Sequence, residues 1–156
     1  MDSNLKARLA VVKWEEFTHP CGFQSQEIPS LLTELHGDQD AASIRAANRL
    51  WHVVAHQGNV GPSSVPTLPF LLERLTTCGV QLQEEILDIL YQFACAACPN
   101  TTEIWAIELR RILRENRSHF DQLLESPSEG VTTFSEMILE QIDAASCRHI
   151  DNEGTA

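Results

Sequence analysis

Two histidines four residues apart are the first candidates for chemistry in this sequence. His52 and His56 fall on one face of a predicted helix, and two imidazoles placed in this way can ligate zinc. The metalloprotease motif has glutamate directly after its first histidine, where this chain has Val53, and the spacing implies no third ligand. The favoured interpretation is therefore structural, with His52 exposed and His56 capping its helix end or packing under the next loop. No metal and no cofactor are expected.

Cysteines form the second candidate, because Cys95 and Cys98 have the spacing of a redox pair. Thioredoxin-type pairs lie at a helix N-terminus, where the helix dipole stabilises the thiolate. This pair is predicted to end a helix, so we expect small residues that allow close helix packing instead. All five cysteines are expected to be free thiols or small buried hydrophobic residues, without a disulfide framework.

A third candidate is the acidic group formed by Glu84, Glu85 and Asp88. Paired carboxylates perform acid-base work only where a pocket desolvates one of them and shifts its pKa. These residues lie opposite the apolar stripe of their predicted helix, which favours a solvated polar face. The sequence contains no Gly-rich phosphate loop, nucleophile elbow or EF-hand loop. We therefore expect no catalytic residue.

The helices that carry these residues are related by an internal duplication. The segment from Ile28 to Ala55 matches the segment from Leu68 to Cys95 at an offset of 40 residues, and Trp51 matches Tyr91. A period of about 40 built from two helical patterns is typical of HEAT or armadillo-type hairpins, and each hairpin needs a stacked neighbour to bury its apolar stripe. The sequence thus predicts an all-α fold, a right-handed helical-repeat stack of about six to seven helices.

The predicted organisation is a single domain over residues 1–150 with a disordered tail at 151–156. The repeats span about 28–58 and 68–98, and capping helices occupy 3–17 and 103–147, with a break near 116–118. The stretch 59–67 is rich in proline and glycine, which predicts a loop between the repeats. Asp40 is the expected N-cap of the second helix, and Gly58 is its expected left-handed stop.

The duplicated region carries a longer motif. Leu50-Trp51 is followed by His56-Gln57-Gly58-Asn59-Val60, then by Ser63-Ser64, and then by Leu68-Pro69-Phe70-Leu71-Leu72-Glu73. Over residues 28–98, this motif resembles a family of small bacterial HEAT-repeat proteins. The resemblance implies a helical-repeat fold and, as suspected for some members, a toxin-immunity role. The chain departs from the family in its turn, where Pro62-Ser63-Ser64-Val65-Pro66 replaces an alanine-serine-rich segment.

Charge and hydropathy restrict the partners. Twenty-two acidic and eleven basic residues give a net charge of −11, which repels a nucleic-acid backbone. No apolar run reaches the length of a membrane span, and the first residues lack the pattern of a signal peptide. We expect a cytoplasmic protein that binds neither nucleic acid nor membrane.

These observations predict a non-catalytic protein-binding module, an immunity or adaptor protein, that acts on a basic protein partner. Binding is expected on the concave face formed by the second helices of successive repeats, with fast, salt-sensitive association. Trp105 lies near the start of a predicted helix and can belong to either the core or an interface. The predicted contact residues are Arg45, Asn48, Arg49, His52, Glu84, Glu85, Asp88, Gln92 and Trp105.

Two alternatives stay open. The first is an enzyme on a HEAT scaffold, either glycosylase-like, which the negative charge disfavours, or lyase-like, with His52, His56, Asp88 and Cys95 converging in a cleft. The second is a homodimer, because one exposed stripe can pair with a second copy across a two-fold axis.

Overall fold

The computed structural model describes residues 3–17 and 25–144. Within these ranges the chain forms eight α-helices and no strand, which confirms the all-α prediction with more helices than the expected six to seven. The α-helices are α1 (Ser3–Val11), α2 (Ile28–Leu35), α3 (Asp40–Val54), α4 (Ser64–Leu75), α5 (Val80–Ala96), α6 (Ile104–Glu115), α7 (Arg117–Leu123) and α8 (Glu129–Asp143). Three 3-10 helices lie at Trp14–Glu16, Ser25–Glu27 and His56–Gly58. The predicted tail at 151–156 and the last residues of the predicted C-terminal helix lie outside the described ranges.

The duplication produces two helical hairpins, α2 with α3 and α4 with α5. In the first hairpin, Pro29 occupies the first turn of α2, where its missing amide costs no helical hydrogen bond. The N-cap of α3 is Gln39 rather than the expected Asp40, which is the first helical residue. Gly58 has a φ of 74°, which confirms the predicted left-handed stop after α3.

Helix α4 starts earlier than the sequence predicted. The stretch 59–67 was expected to be a loop throughout, but residues from Ser64 onwards are helical. Pro66 lies in the first helical turn, where no amide donor is needed. The Ser64 hydroxyl donates to the Gly61 carbonyl over 2.6 Å, and the Thr67 hydroxyl donates to the Ser63 carbonyl over 2.7 Å. The proline-rich segment can begin the helix because Pro66 lies among the first residues, whose amides have no partner within the helix.

The helices lie in two layers. One layer contains α2, α4 and α6, and the other contains α3, α5 and α8, with each helix packed on its neighbours in the same layer. The apolar faces meet between the layers, where Leu32, Leu50, Leu71, Leu90 and Ile138 are fully buried. Because one hairpin leaves its apolar stripe uncovered, the contacts of α3 with α5 and of α5 with α8 complete the core.

The N-terminal segment covers the first hairpin. Leu5 and Leu9 of α1 are buried, and the indole nitrogen of Trp14 donates to the Leu9 carbonyl over 2.9 Å. The Arg8 guanidinium lies 4.8 Å from the centre of the Phe70 ring, and it also pairs with Glu73 over 2.7 Å. Helix α1 is thereby fixed against both α2 and α4.

The C-terminal half closes the other end. The expected break near residues 116–118 is confirmed at Asn116, between α6 and α7. The Arg110 guanidinium of α6 donates to the Ala97 carbonyl after α5 and to three carbonyls at the end of α8. Helix α6 is therefore attached to the C-terminal ends of two helices in the opposite layer. In the described ranges no helix has both the length and the apolar character needed to cross a bilayer.

Candidate functional site

The two candidate histidines lie together at the end of α3. His52 is exposed, as predicted, and His56 is half-buried in the 3-10 turn that follows. Their ring centres are 5.5 Å apart, and the half-buried Trp51 ring contacts both edge to face. Within 3–17 and 25–144, no group of three His, Cys, Asp or Glu side chains could hold a metal ion. The Trp51, His52 and His56 rings therefore form a packed aromatic cluster at the edge of the core.

The candidate cysteine pair is not a redox couple. Cys98 is disulfide-bonded, whereas Cys78 and Cys95 are free, so Cys95 and Cys98 are not bonded to each other. The expectation that every cysteine is a free thiol is therefore wrong for Cys98. Partial desolvation raises the pKa of the Cys95 thiol, although a hydrogen bond with Tyr91 lowers it somewhat. A raised pKa opposes the thiolate that disulfide exchange requires.

The acidic group on α5 has two different environments. The Glu84 carboxylate lies at the N-terminus of α8, where the Ser128 hydroxyl donates to it over 2.6 Å. Glu85 is half-buried, and burial raises the pKa of its carboxyl, with a further increase from the negative charges of Asp88 and Glu84. Glu84 thus has a structural partner within the chain, while Glu85 carries an electrostatic penalty.

The predicted contact residues on α3 are on its outer surface. Arg45, Asn48, Arg49 and His52 are all exposed. Arg49 already forms a bidentate pair with Glu27, with its Nε and one terminal nitrogen each 3.1 Å from a carboxylate oxygen. The α5 residues Glu85, Asp88 and Gln92 are half-buried.

None of the other predicted contact residues lines any of the four cavities found among residues 3–17 and 25–144, whereas Trp105 lines one of them. It is half-buried, packs against the core and lines an open groove of about 680 Å³ on the side of α4 and α6. This volume is in the range of small-molecule ligand pockets. The lining consists of Phe17, Pro62, Val65, Pro66, Thr102, Glu103, Ile104, Trp105 and Glu108. We call this cavity the Trp105 groove.

The Trp105 groove is apolar with an acidic margin. Ile104 is 84% exposed and adds apolar surface to the start of the groove. Glu103 and Glu108 contribute carboxylates to the lining, and no lysine or arginine occurs among these residues. Glu108 also pairs with Arg111 at 2.5 Å. An apolar floor beside carboxylates suits an apolar segment that carries positive charge.

Sequence reasoning named Trp105 but missed the rest of this groove. Phe17, Pro62 and Trp105 come from three separate parts of the chain, so no local pattern connects them. One signal was available: Ile104, which lines the groove, lies off the buried stripe of Ala106, Leu109 and Leu113 on α6. Apolar residues outside a helix's core stripe indicate a second apolar face.

The residues of the enzymatic alternative do not share a cavity described here. Besides the Trp105 groove, surface cavities lie beside Cys98 and Arg110 and at two positions around His119. None of these four cavities is lined by His52, His56, Asp88 or Cys95.

Comparisons with protein-family models, with curated proteins and with solved structures found no match to this chain. The likeness to small bacterial HEAT-repeat proteins therefore rests on the motif in residues 28–98 alone.

Proposed function

We propose that this chain is a non-catalytic helical-repeat module that binds a basic protein partner through the Trp105 groove. The observation that carries the proposal is the open apolar groove around Trp105, with Ile104 almost fully exposed beside it. Exposed apolar surface with an aromatic anchor is typical of protein-binding sites, because its burial drives association. An immunity or adaptor role is one form of this function.

The proposed architecture is a right-handed helical-repeat stack. The two layers of successive helices support it, since α2, α4 and α6 follow one another on one side while α3, α5 and α8 follow on the other. A stack of this kind exposes extended surfaces along both layers. Arg45, Asn48 and His52 on α3 and the acidic residues of α5 are then a second proposed contact surface, on the layer opposite the Trp105 groove.

The basic character of the partner follows from charge complementarity. The chain has a net charge of −11, and the Trp105 groove adds two carboxylates at the contact itself. A partner with lysine or arginine beside its apolar residues gains electrostatic attraction and a faster association rate, both of which weaken in salt. A second copy of this chain would instead bring two acidic margins together, which costs free energy.

The proposal is tested by comparing two matched variants in affinity capture. Ile104 and Val80 are both exposed aliphatic residues at the first position of a helix, but only Ile104 lines the groove. Aspartate is favourable in the first turn of either helix, so Ile104→Asp and Val80→Asp should both fold. Wild type and both variants are immobilised and exposed to lysate of the native host at low and high salt.

The expected result is that wild type and Val80→Asp both retain a basic protein at low salt. Ile104→Asp should retain at least about tenfold less of it, because the variant has lost an interface anchor. Purified partner and calorimetry then give the same ranking. Equal retention by Ile104→Asp and Val80→Asp would contradict the proposal, as would a partner that is acidic or insensitive to salt.

A cytoplasmic location is a separate proposal, and Cys98 bears on it. Disulfides persist mainly in oxidising compartments and are rare in the cytoplasm. Trapping thiols in intact host cells with an alkylating reagent decides the matter, because a cytoplasmic protein would have Cys98 alkylated without prior reduction.

A further inference from the structure

The Trp105 groove continues along the junction of α4 and α6. A second cavity of about 320 Å³ lies further along the same two helices and is lined by residues that include Pro69, Leu72 and Thr76 of the α4 segment. On the α6 side, Trp105 and Glu108 line the first cavity, and Ile112 and Asn116 line the second. Successive residues in this set are three or four positions apart. Since residues three or four apart share one helix face, the two cavities lie on the same faces of both helices. We call this line the α4–α6 seam.

The two helices run parallel along the seam. The first cavity is lined by the start of each helix and the second by the end of each, so both helices point the same way. Val65 to Thr76 on one side and Trp105 to Asn116 on the other are each 11 residues apart. At 1.5 Å per residue, the seam is therefore about 17 Å long on both sides, which equals a helix of about 12 residues.

The shape of the seam favours a helical occupant. The line between two packed parallel helices is a groove in which the side-chain ridges of a third helix can lie. Extended peptides commonly bind by adding a strand to a sheet edge, and residues 3–17 and 25–144 contain no strand. A helix with apolar residues at positions i, i+3 or i+4 and i+7 matches the periodic spacing of the lining side chains.

The charged side chains that line the seam are carboxylates, with His119 at the far end. Glu103 and Glu108 lie at its first half and Glu73 at its second, and the residues lining both cavities include no lysine or arginine. Glu73 and Glu108 are paired with Arg8 and Arg111 at the outer edges. Basic residues that flank the apolar face of a docked helix would meet these carboxylates.

We infer that the α4–α6 seam binds one amphipathic helix of about 12 residues from a protein partner, apolar towards the seam and flanked by lysine or arginine. The inference rests on the proposed function and specifies its ligand. Ile104 and Trp105 would hold the apolar residues at one end of the helix, and the surface between Leu72 and Ile112 would hold those at the other.

The probe is a displayed library of random 16-residue peptides, selected on wild type and counter-selected on Ile104→Asp. The far end of the seam is tested with Thr76→Arg, and Thr77→Arg is its matched control. Both threonines are exposed, and each hydroxyl donates to a carbonyl three residues earlier, but only Thr76 lines the seam. Binding of synthesised peptides is measured by fluorescence anisotropy, and their helicity by circular dichroism.

The expected peptides have apolar residues at helical spacing, an excess of lysine and arginine, and increased helicity when bound. Their affinity should fall at least tenfold in Ile104→Asp and at least fivefold in Thr76→Arg, with no change in Thr77→Arg. Peptides that depend on Ile104 but ignore Thr76, or that lack helical spacing, would overturn the seam inference and leave the groove proposal intact. Absence of any peptide that depends on Ile104 would overturn both, and selection of acidic peptides would overturn the charge assignment.

Discussion

The Ser128 hydroxyl donates a hydrogen bond to the Glu84 carboxylate over 2.6 Å and joins the N-terminal part of α5 to the N-terminus of α8. Ser128 is also the N-cap of α8, where its hydroxyl oxygen accepts from the Val131 amide. A carboxylate at this position is stabilised by the positive end of the helix dipole. Glu84, expected from sequence to bind a partner, therefore stabilises the packing of α8 on α5.

Gly130 provides a sensitive test of this arrangement. A Cβ atom at residue 130 would lie 2.6 Å from the Glu84 carboxylate, so Gly130→Ala forces that side chain away from Ser128. In a helix interior, alanine is more stable than glycine by about 1 kcal/mol. Gly130 lies in the first turn of α8, so we expect Gly130→Ala to stabilise the Glu84→Ala background by at most about 1 kcal/mol and the wild type by clearly less. Urea unfolding of the four proteins measures the coupling, and additive effects would contradict the close contact.

Arg110 is predicted to contribute strongly to stability. Its guanidinium donates to four carbonyls, those of Ala97, Gln141, Ile142 and Ala144, at 2.7 to 3.2 Å. Hydrogen bonds to charged groups contribute about 1.5 to 3 kcal/mol each, and the carbonyls of two helix ends lose their donor together. Arg110→Ala should lower the free energy of unfolding by at least about 2 kcal/mol.

Arg111 on the same helix is the control for that experiment. It is exposed and pairs with Glu108 and Glu115, both at 2.5 Å. Exposed pairs contribute at most about 1 kcal/mol, so Arg111→Ala should have a small effect on chemical denaturation. Equal losses for Arg110→Ala and Arg111→Ala would show that the carbonyl contacts of Arg110 add little.

His36 gives the protein a predicted sensitivity to mild acid. Its Nε2 lies 3.0 Å from the Phe70 carbonyl, to which it donates. Burial lowers its pKa below the ordinary value, although the Phe70 hydrogen bond and the Glu73 charge raise it in part. The unfolded chain therefore binds the proton more readily than the folded one. Stability should fall as the pH drops from the ordinary histidine range, about 6.5, through the lowered folded value.

The comparison that isolates this effect is His36→Gln, which keeps a donor that does not titrate. Denaturant unfolding of wild type and variant across the weakly acidic range should show wild type losing stability relative to the variant as pH falls. A difference independent of pH would remove His36 as the cause. His52→Gln reports the effect of removing an exposed histidine.

The raised pKa of Glu85 predicts that stability depends on pH in the opposite direction. Burial, together with the charges of Asp88 and Glu84, raises its folded pKa, so the folded state binds the proton more readily. Its contribution to stability falls as pH rises from the ordinary glutamate range through the raised value, and the penalty is complete above it. Glu85→Gln should therefore be more stable than wild type at neutral pH.

The advantage of Glu85→Gln should disappear in acid, below the ordinary glutamate pKa of about 4.3, and it should decrease in high salt. Thermal unfolding across this range measures it. Glu125→Gln removes the same charge from an exposed position and controls for net charge. Equal stabilisation by both substitutions would assign the effect to the net charge of the chain.

Thiol counting tests the assignment of the cysteines. Cys78 and Cys95 are free, and Cys98 is disulfide-bonded. Alkylation of the purified, unreduced protein in denaturant followed by peptide mass spectrometry should label Cys78 and Cys95 and leave Cys98 unlabelled until a reductant is added. In the native state, Cys95 should react before the half-buried Cys78. Labelling of Cys98 without reductant would contradict the disulfide.

The duplication made the hairpins predictable. The 40-residue offset and the helical spacing of apolar residues located α2, α3 and α5 closely, because these signals lie within one segment of the chain. The start of α4 differs from the prediction, because the prolines at 62 and 66 indicate a loop although the helix already begins at Ser64. Proline disfavours helix interiors but is compatible with a first turn.

The sequence by itself determined the class of the fold, the two hairpins and the acidic charge, because periodicity and composition are local or additive properties. Only the tertiary structure decided the roles of individual side chains. Glu84 accepts a hydrogen bond at the N-terminus of α8 from Ser128, which is 44 residues away in the sequence. Arg110 joins the ends of two helices, and its contact with Ala144 spans 34 residues. Trp105 became part of a groove because packing placed it beside Phe17 and Pro62. Such contacts depend on the relative positions of packed helices, which no spacing within one helix specifies.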